Sequence, residues 1–166
     1  MLKALPATLL LLLLSVVTLQ AAEFHGRVSW VYDGDTLEVT GVGRVRLLGI
    51  DTPEYEAGPR DRFYRNNFAI RPELLRRIAR QATERMIVLA KGEDVRLESD
   101  GTLRDRHGRL LAYAYLSDGR LLNRLLLEEG LATVFRRYDF RRKDEFLTVE
   151  NDARGKELGL WRQQSH

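Results

Sequence analysis

Cysteine is absent from the 166-residue chain, so disulfide staples and thiolate metal ligands are both excluded and folding needs no oxidation. Histidine is nearly as scarce: of three, His25 and His166 lie near the ends of residues 23–166, which leaves no imidazole set for zinc. Long apolar runs are missing after Leu9–Val17, which excludes a chain that crosses a bilayer repeatedly. Lysine is sparse as well. Of 27 basic residues only four are Lys and 23 are Arg, a bias that suits phosphate recognition wherever the arginines cluster. The net charge is only +3, so position rather than abundance has to decide what the arginines do.

What is present begins with Met1-Leu2-Lys3, a positive charge ahead of the apolar stretch, followed by small residues at Ala21-Ala22. Residues 1–22 therefore read as a secretory signal peptide, and the protein is expected to be exported, to the periplasm or the medium. After removal of that segment no stable membrane association is expected, no protein partner is predicted, and a monomer is the default. Residues 23–166 are long enough to bury one core without metal or disulfide support.

Between Phe24 and Ile50 apolar residues roughly alternate (Val28, Trp30; Leu37, Val39; Val45, Leu47), broken by turn signals at Asp33-Gly34 and Gly41-Val42-Gly43. This predicts a three-strand meander whose last strand ends at Asp51. Residues 54–67 are polar and contain Gly58-Pro59, and they read as a long surface loop. Pro72 suits a first helical turn, and Leu74, Leu75, Ile78, Ala79, Ala82, Met86 and Leu89 share a face until Gly92. Two more strands follow around Val95-Leu97 and Leu111-Tyr115. Helices then run from about Leu121 to Glu129 and from about Lys143 to Leu158. The fold class is α+β with a mainly β core: a five-stranded Greek-key barrel of the oligonucleotide-binding type with about three helices.

Three short segments carry the chemistry. Asp33-Gly34-Asp35-Thr36 alone is a plain hairpin turn, and Asp51-Thr52-Pro53-Glu54 alone is a helix-start pattern. Together they differ, because a meander can bring the Asp35 turn beside the end of the Asp51 strand. Acids crowded there would raise one another's pKa unless a cation held them ionised, and calcium or a similar hard ion is the economical answer. Arg46 precedes Asp51 on the same strand, and Arg109 ends the third segment, Asp105-Arg106-His107-Gly108-Arg109. Facing a phosphate, the two arginines would neutralise charge that builds during attack. Glu54, near the cation but not spent on it, would orient or deprotonate water.

These segments, in this order and spacing, together with Arg46-Leu47-Leu48 and Leu111-Ala112-Tyr113, resemble the thermonuclease family, the secreted calcium-dependent nucleases similar to staphylococcal nuclease. The resemblance runs from about Arg27 to Glu54 and from Leu103 to Trp161. It implies one Ca2+ and hydrolysis of DNA and/or RNA, with low sequence specificity, to 3'-phosphate ends. It also implies roles: Asp35 and Asp51 as metal carboxylates, the Thr52 carbonyl as a further ligand, and Asp33 as an acid close behind them. Glu54 matches the water-activating residue, and Arg46 and Arg109 match the phosphate-binding pair. Around the nucleotide pocket, Arg106 and His107 replace a lysine and a tyrosine, Tyr138 matches an aromatic beside the base, and Arg136 stands where another tyrosine is expected. The alternative is a non-catalytic module of the same fold that binds single-stranded nucleic acid, although clustered acids would repel its ligand.

Overall fold

The computed structural model describes residues 22–101 and 103–162, so the predicted signal peptide lies outside the described residues except for Ala22. Five strands close a barrel in the spatial order β1-β2-β3-β6-β5: β1 (Glu23–Val31), β2 (Thr36–Val39), β3 (Gly43–Leu47), β5 (Asp94–Glu98) and β6 (Leu110–Leu116). All neighbours are antiparallel except β3 and β6, whose parallel contact closes the barrel through the pairs Val45–Leu110 and Leu47–Ala112. Alternation explains the interior. Val28, Leu37, Val39, Val45, Leu47, Val95, Leu97, Leu110, Ala112 and Ala114 point inward and are buried, while their sequence neighbours face out or into covering helices.

The meander is shorter than predicted. β3 stops at Leu47, and the chain turns at Gly49, whose φ of 81° favours glycine and whose added Cβ would meet the Phe140 ring at 2.6 Å. Ile50 and Asp51 therefore leave the barrel as a separate strand, β4 (Ile50–Asp51), paired antiparallel with β7 (Thr133–Val134). The expected surface loop is also corrected. Residues Pro59–Phe68 form helix α1, started by Pro59 with Asp61 in its first turn and anchored by buried Tyr64 and by Phe68 edge-on to Trp161.

α2 (Pro72–Ala90) starts at Pro72 and buries Leu74, Leu75, Ile78, Ala79, Ala82 and Met86 along one stripe, as its spacing predicts. It packs on β1 and ends where the Gly92 amide donates to the Val28 carbonyl at 2.8 Å. α3 (Leu122–Glu128) and α4 (Lys143–Gly155) pack together beneath β6 and β7, so the described residues form four α-helices rather than three. A short 3-10 turn at Gly159–Trp161 follows.

One buried polar side chain ties these layers together. Asn123 of α3 is fully buried, accepts the Ala114 amide at 3.0 Å, and donates to the Leu48 carbonyl at 2.8 Å and the Ala112 carbonyl at 3.3 Å. Replacing it with Leu strands the Ala114 amide and the Leu48 carbonyl, each costing about 1–2 kcal/mol, while the Ala112 carbonyl keeps the Leu48 amide at 2.9 Å. Asn123→Leu is expected to lower unfolding free energy by roughly 2–4 kcal/mol in urea titration; an unchanged midpoint would refute this bracing role.

Candidate active site

The site grows from the register of β2 and β3. Thr36 faces Arg46 across the pair, and the Leu47 amide donates to the Asp35 carbonyl at 2.8 Å, which fixes the Asp33–Asp35 turn against the end of β3. Gly34 sits between the two acids because there is no room for a side chain: an added Cβ would lie 2.6 Å from the Ala82 methyl and 2.9 Å from the Thr52 methyl. Asp35 is then buried, accepting the Thr52 amide at 3.0 Å, the Thr52 hydroxyl at 3.3 Å and the Thr36 hydroxyl at 3.2 Å.

Arg46 joins the two halves. Its guanidinium donates to Asp35 Oδ1 at 2.6 Å and to Asp51 Oδ1 at 2.9 Å, one nitrogen to each carboxylate. Burial works against its charge, but Asp35, Asp51, Asp33 and Glu54 outweigh that effect and hold it cationic. The acids remain in surplus. Burial, followed by the Asp35 charge, raises the Asp51 carboxyl even against Arg60 and Arg46. Partial burial, then Asp35 and Asp51, raises Glu54. Asp33, which accepts the Asp35 amide at 2.9 Å, is pushed up to about 6, mostly by burial and next by Asp35.

Arg109 arrives from the next segment. Asp105 accepts the Arg109 and His107 amides and holds the Arg109 guanidinium at 2.7–2.8 Å. Burial alone would raise Asp105, but those bonds outweigh it and draw its carboxyl below the usual range. So aimed, Arg109 reaches within 3.5 Å of the Thr36 hydroxyl, which itself donates to Asp35. Thus Asp33, Asp35, Arg46, Asp51, Thr52 and Arg109 form one connected group, with exposed Glu54 two residues beyond Thr52 and electrostatically coupled to it.

The predicted nucleotide contacts are less closely integrated. Arg106 and His107 are exposed on the turn before β6 and contact each other at 3.1 Å, while exposed Tyr138 leans on Phe135 with ring centroids 5.6 Å apart. Arg136 is committed elsewhere: it pairs with fully buried Glu150, whose other contact is the Val134 amide at 2.8 Å. The position expected to carry a tyrosine is therefore a structural brace for β7.

Two residues of α1 were not foreseen. Tyr64 is buried, and its hydroxyl donates to the Asp51 carboxylate at 3.0 Å and to the Asp51 carbonyl at 3.2 Å, while Arg60 pairs with the same carboxylate. Burial and the Asp51 charge raise the Tyr64 hydroxyl, which therefore stays a donor. The signal was available in the Gly58-Pro59 helix start and the four-residue spacing of Arg60 and Tyr64, which puts both on one helical face.

Among the described residues no three His, Cys, Asp or Glu side chains are gathered into one metal-ligand group. Asp35 and Asp51 instead share Arg46. Their chemistry still fits a hard cation: the available donors are carboxylate and carbonyl oxygens, with the buried Asp35 and Asp51 carboxylates drawn to one guanidinium and the Thr52 amide bonded to Asp35.

A barrel of this topology with buried carboxylates and a forked arginine at one sheet end defines the class, an oligonucleotide-binding-type barrel bearing an acid–arginine cluster. The profile described as staphylococcal nuclease homologue matches residues 44–163. The thermonuclease of Staphylococcus intermedius is 33% identical over 139 residues, which cover 81% of this chain and 74% of that protein. Two Bacillus subtilis proteins each align over 135 residues, 78% of this chain: the SPbeta prophage-derived endonuclease YokF at 37% identity and endonuclease YncB at 36%. The chain spans 41% and 57% of their lengths, respectively. The chain belongs to the staphylococcal nuclease family.

The buried Asp33 carboxyl gives a pH-dependent prediction. Asp33 is raised in the folded protein above its unfolded value of 3.8, so its ionisation opposes folding; this penalty is absent below about pH 4 and full above about pH 6. Asp33→Asn, which can still accept the Asp35 amide, is expected to stabilise the chelator-treated protein at pH 7 by about 1–3 kcal/mol and to give no gain at pH 4. Urea midpoints at the two pH values check this, and an equal gain at both would remove charge as the cause.

Proposed function

We propose that this nuclease of the staphylococcal nuclease family is an exported, calcium-dependent phosphodiesterase that cuts DNA and/or RNA with low sequence specificity and leaves 3'-phosphate ends. The observation that carries the reading is Arg46, forked between Asp35 and Asp51 at the point where Arg109 also arrives. A binding module gains nothing from two buried acids there, since acids repel phosphate.

Asp35, Asp51 and the Thr52 carbonyl would hold the calcium, which when bound supplies positive charge beside the scissile phosphate. Arg46 and Arg109 donate to the non-bridging phosphate oxygens and stabilise the charge that grows on them as water attacks. Glu54 takes the proton from that water. Its raised pKa, produced by partial burial and by Asp35 and Asp51, makes it a stronger base than an ordinary glutamate, and its exposure leaves it open to solvent. Attack at phosphorus with departure of the 5'-oxygen leaves the phosphate on the 3' side. Phosphate contacts and ring stacking carry little sequence information, which fits low specificity.

Glu54→Gln is expected to lower turnover on single-stranded DNA in calcium by at least about 100-fold while changing strand affinity, measured in chelator, by only a few-fold. A comparable loss in both would argue against a base. Arg109→Ala is expected to weaken binding and turnover together, by roughly 10-fold or more in kcat/KM, and an unaltered rate would take Arg109 out of the site. Folded wild-type protein that binds the strand but never cuts it, with or without calcium, would leave the binding module as the function.

A further inference from the structure

The sheet face that carries Arg46 does not end at the acids. Along β2 and β3 the pair Thr36–Arg46 is followed, two residues on and on the same face, by the pair Glu38–Arg44, and Trp30 of β1 lies opposite Glu38. Two residues along a strand is roughly 7 Å, so this second row begins immediately beside the catalytic one. Trp30 is 53% exposed and Tyr32 41% exposed, although each is a large aromatic with buried Val31 between them. Each ring has a cation on one face: Lys91 Nζ stands 4.5 Å from the Trp30 ring centre, and the Arg44 guanidinium 4.3 Å from that of Tyr32. Glu38, the one acid in the row, accepts the Tyr32 hydroxyl at 3.0 Å and faces Arg44, so its charge is answered locally.

We infer that Trp30, Tyr32, Arg44 and Lys91 form a second binding row for single-stranded nucleic acid, taking the bases and phosphates that flank the cleaved bond. The inference rests on the nuclease reading for the identity of the strand. The row supplies the two things an unpaired strand needs, aromatic faces on which any base stacks and cations for its phosphates, without base-edge readers. Continuity with Arg46 through strand register favours nucleic acid over other occupants, because a strand seated at Arg46 has to run over this face or leave it. The row also keeps cations where the first row has acids, so substrate is held beside the acid cluster rather than on it.

The test uses the purified protein in chelator, where cutting is suppressed, titrated with a thymidine trinucleotide and a nonanucleotide while tryptophan emission is followed. Only two tryptophans exist, and Trp161 is packed between the Phe68 ring and Arg154, so quenching reports Trp30. Wild type is expected to bind the nonanucleotide at least about 10-fold tighter than the trinucleotide, with quenching, and Trp30→Ser to lose both the quenching and most of that gain. Arg44→Gln is expected to lower the salt slope of nonanucleotide binding by about one. A full length-dependent gain in folded Trp30→Ser, or an unchanged salt slope in folded Arg44→Gln, overturns the second row. Calcium-dependent cleavage of the nonanucleotide by wild type is measured alongside. Cleavage without any length effect overturns the row and leaves the nuclease standing, whereas a length effect without cleavage supports the row and overturns the nuclease.

Discussion

Asp35 belongs to a turn before β2 and Asp51 to a strand that has already left the barrel; both are buried, and burial followed by the Asp35 charge raises the Asp51 carboxyl. Arg46 makes their proximity tolerable. A guanidinium can give separate nitrogens to two carboxylates in a fixed plane, which an ammonium cannot do, so Arg46 sets the spacing of the acids as well as offsetting their charge. A group that bridges two acids in the protein is also positioned to bridge two phosphate oxygens. Under the proposed function the residue that holds the site together would also meet substrate, and its commitments would shift if a cation took over the acids.

The rest of the molecule serves to hold Asp51 at the height of Asp35. Asp51 lies on a two-residue strand, too short to be stable by itself. β7 pairs with it, the Thr133 hydroxyl reaches its carbonyl at 3.4 Å, and Glu150 with Arg136 fixes β7 from α4. From the other side Tyr64 and Arg60 of α1 clasp its carboxylate. Arg136 serves the site by bracing this backbone, without touching it, which gives a physical reason for an arginine where an aromatic nucleotide contact was expected.

The sequence made the acid and arginine site legible because its members are polar residues at turn and strand ends, where the alternation of apolar residues fixes their placement closely. The barrel and α2 were legible for the same reason, as Leu74 to Met86 follow one helical stripe. Helix α1 was not, because Arg60, Asp61, Arg62 and Arg65 swamp an apolar face of only Phe63, Tyr64 and Phe68, so composition suggested a loop. The exit of β4 was hidden for a different reason: Leu48 and Ile50 prolong the apolar character of β3, and only Gly49, where the positive φ and the nearby Phe140 ring favour glycine, separates the two strands. Arg60 and Tyr64 became visible only once helix and strand were placed together.

The register between β2 and β3 ties these features to one another. Side chains on a strand alternate between faces, so a slip of one residue would turn Arg46 and Arg44 toward the barrel interior and expose Val45 and Leu47. The hydrophobic penalty for that slip protects the geometry of the acid–arginine cluster without any contribution from the acids themselves. This matters because the acids work against the fold, each raised carboxyl marking charge that the native state would rather not carry. The barrel core therefore supplies a register that the electrostatics of the site could not maintain alone. A hard cation bound by the folded state would return part of that cost, linking stability to occupancy of the same oxygens that the chemistry uses.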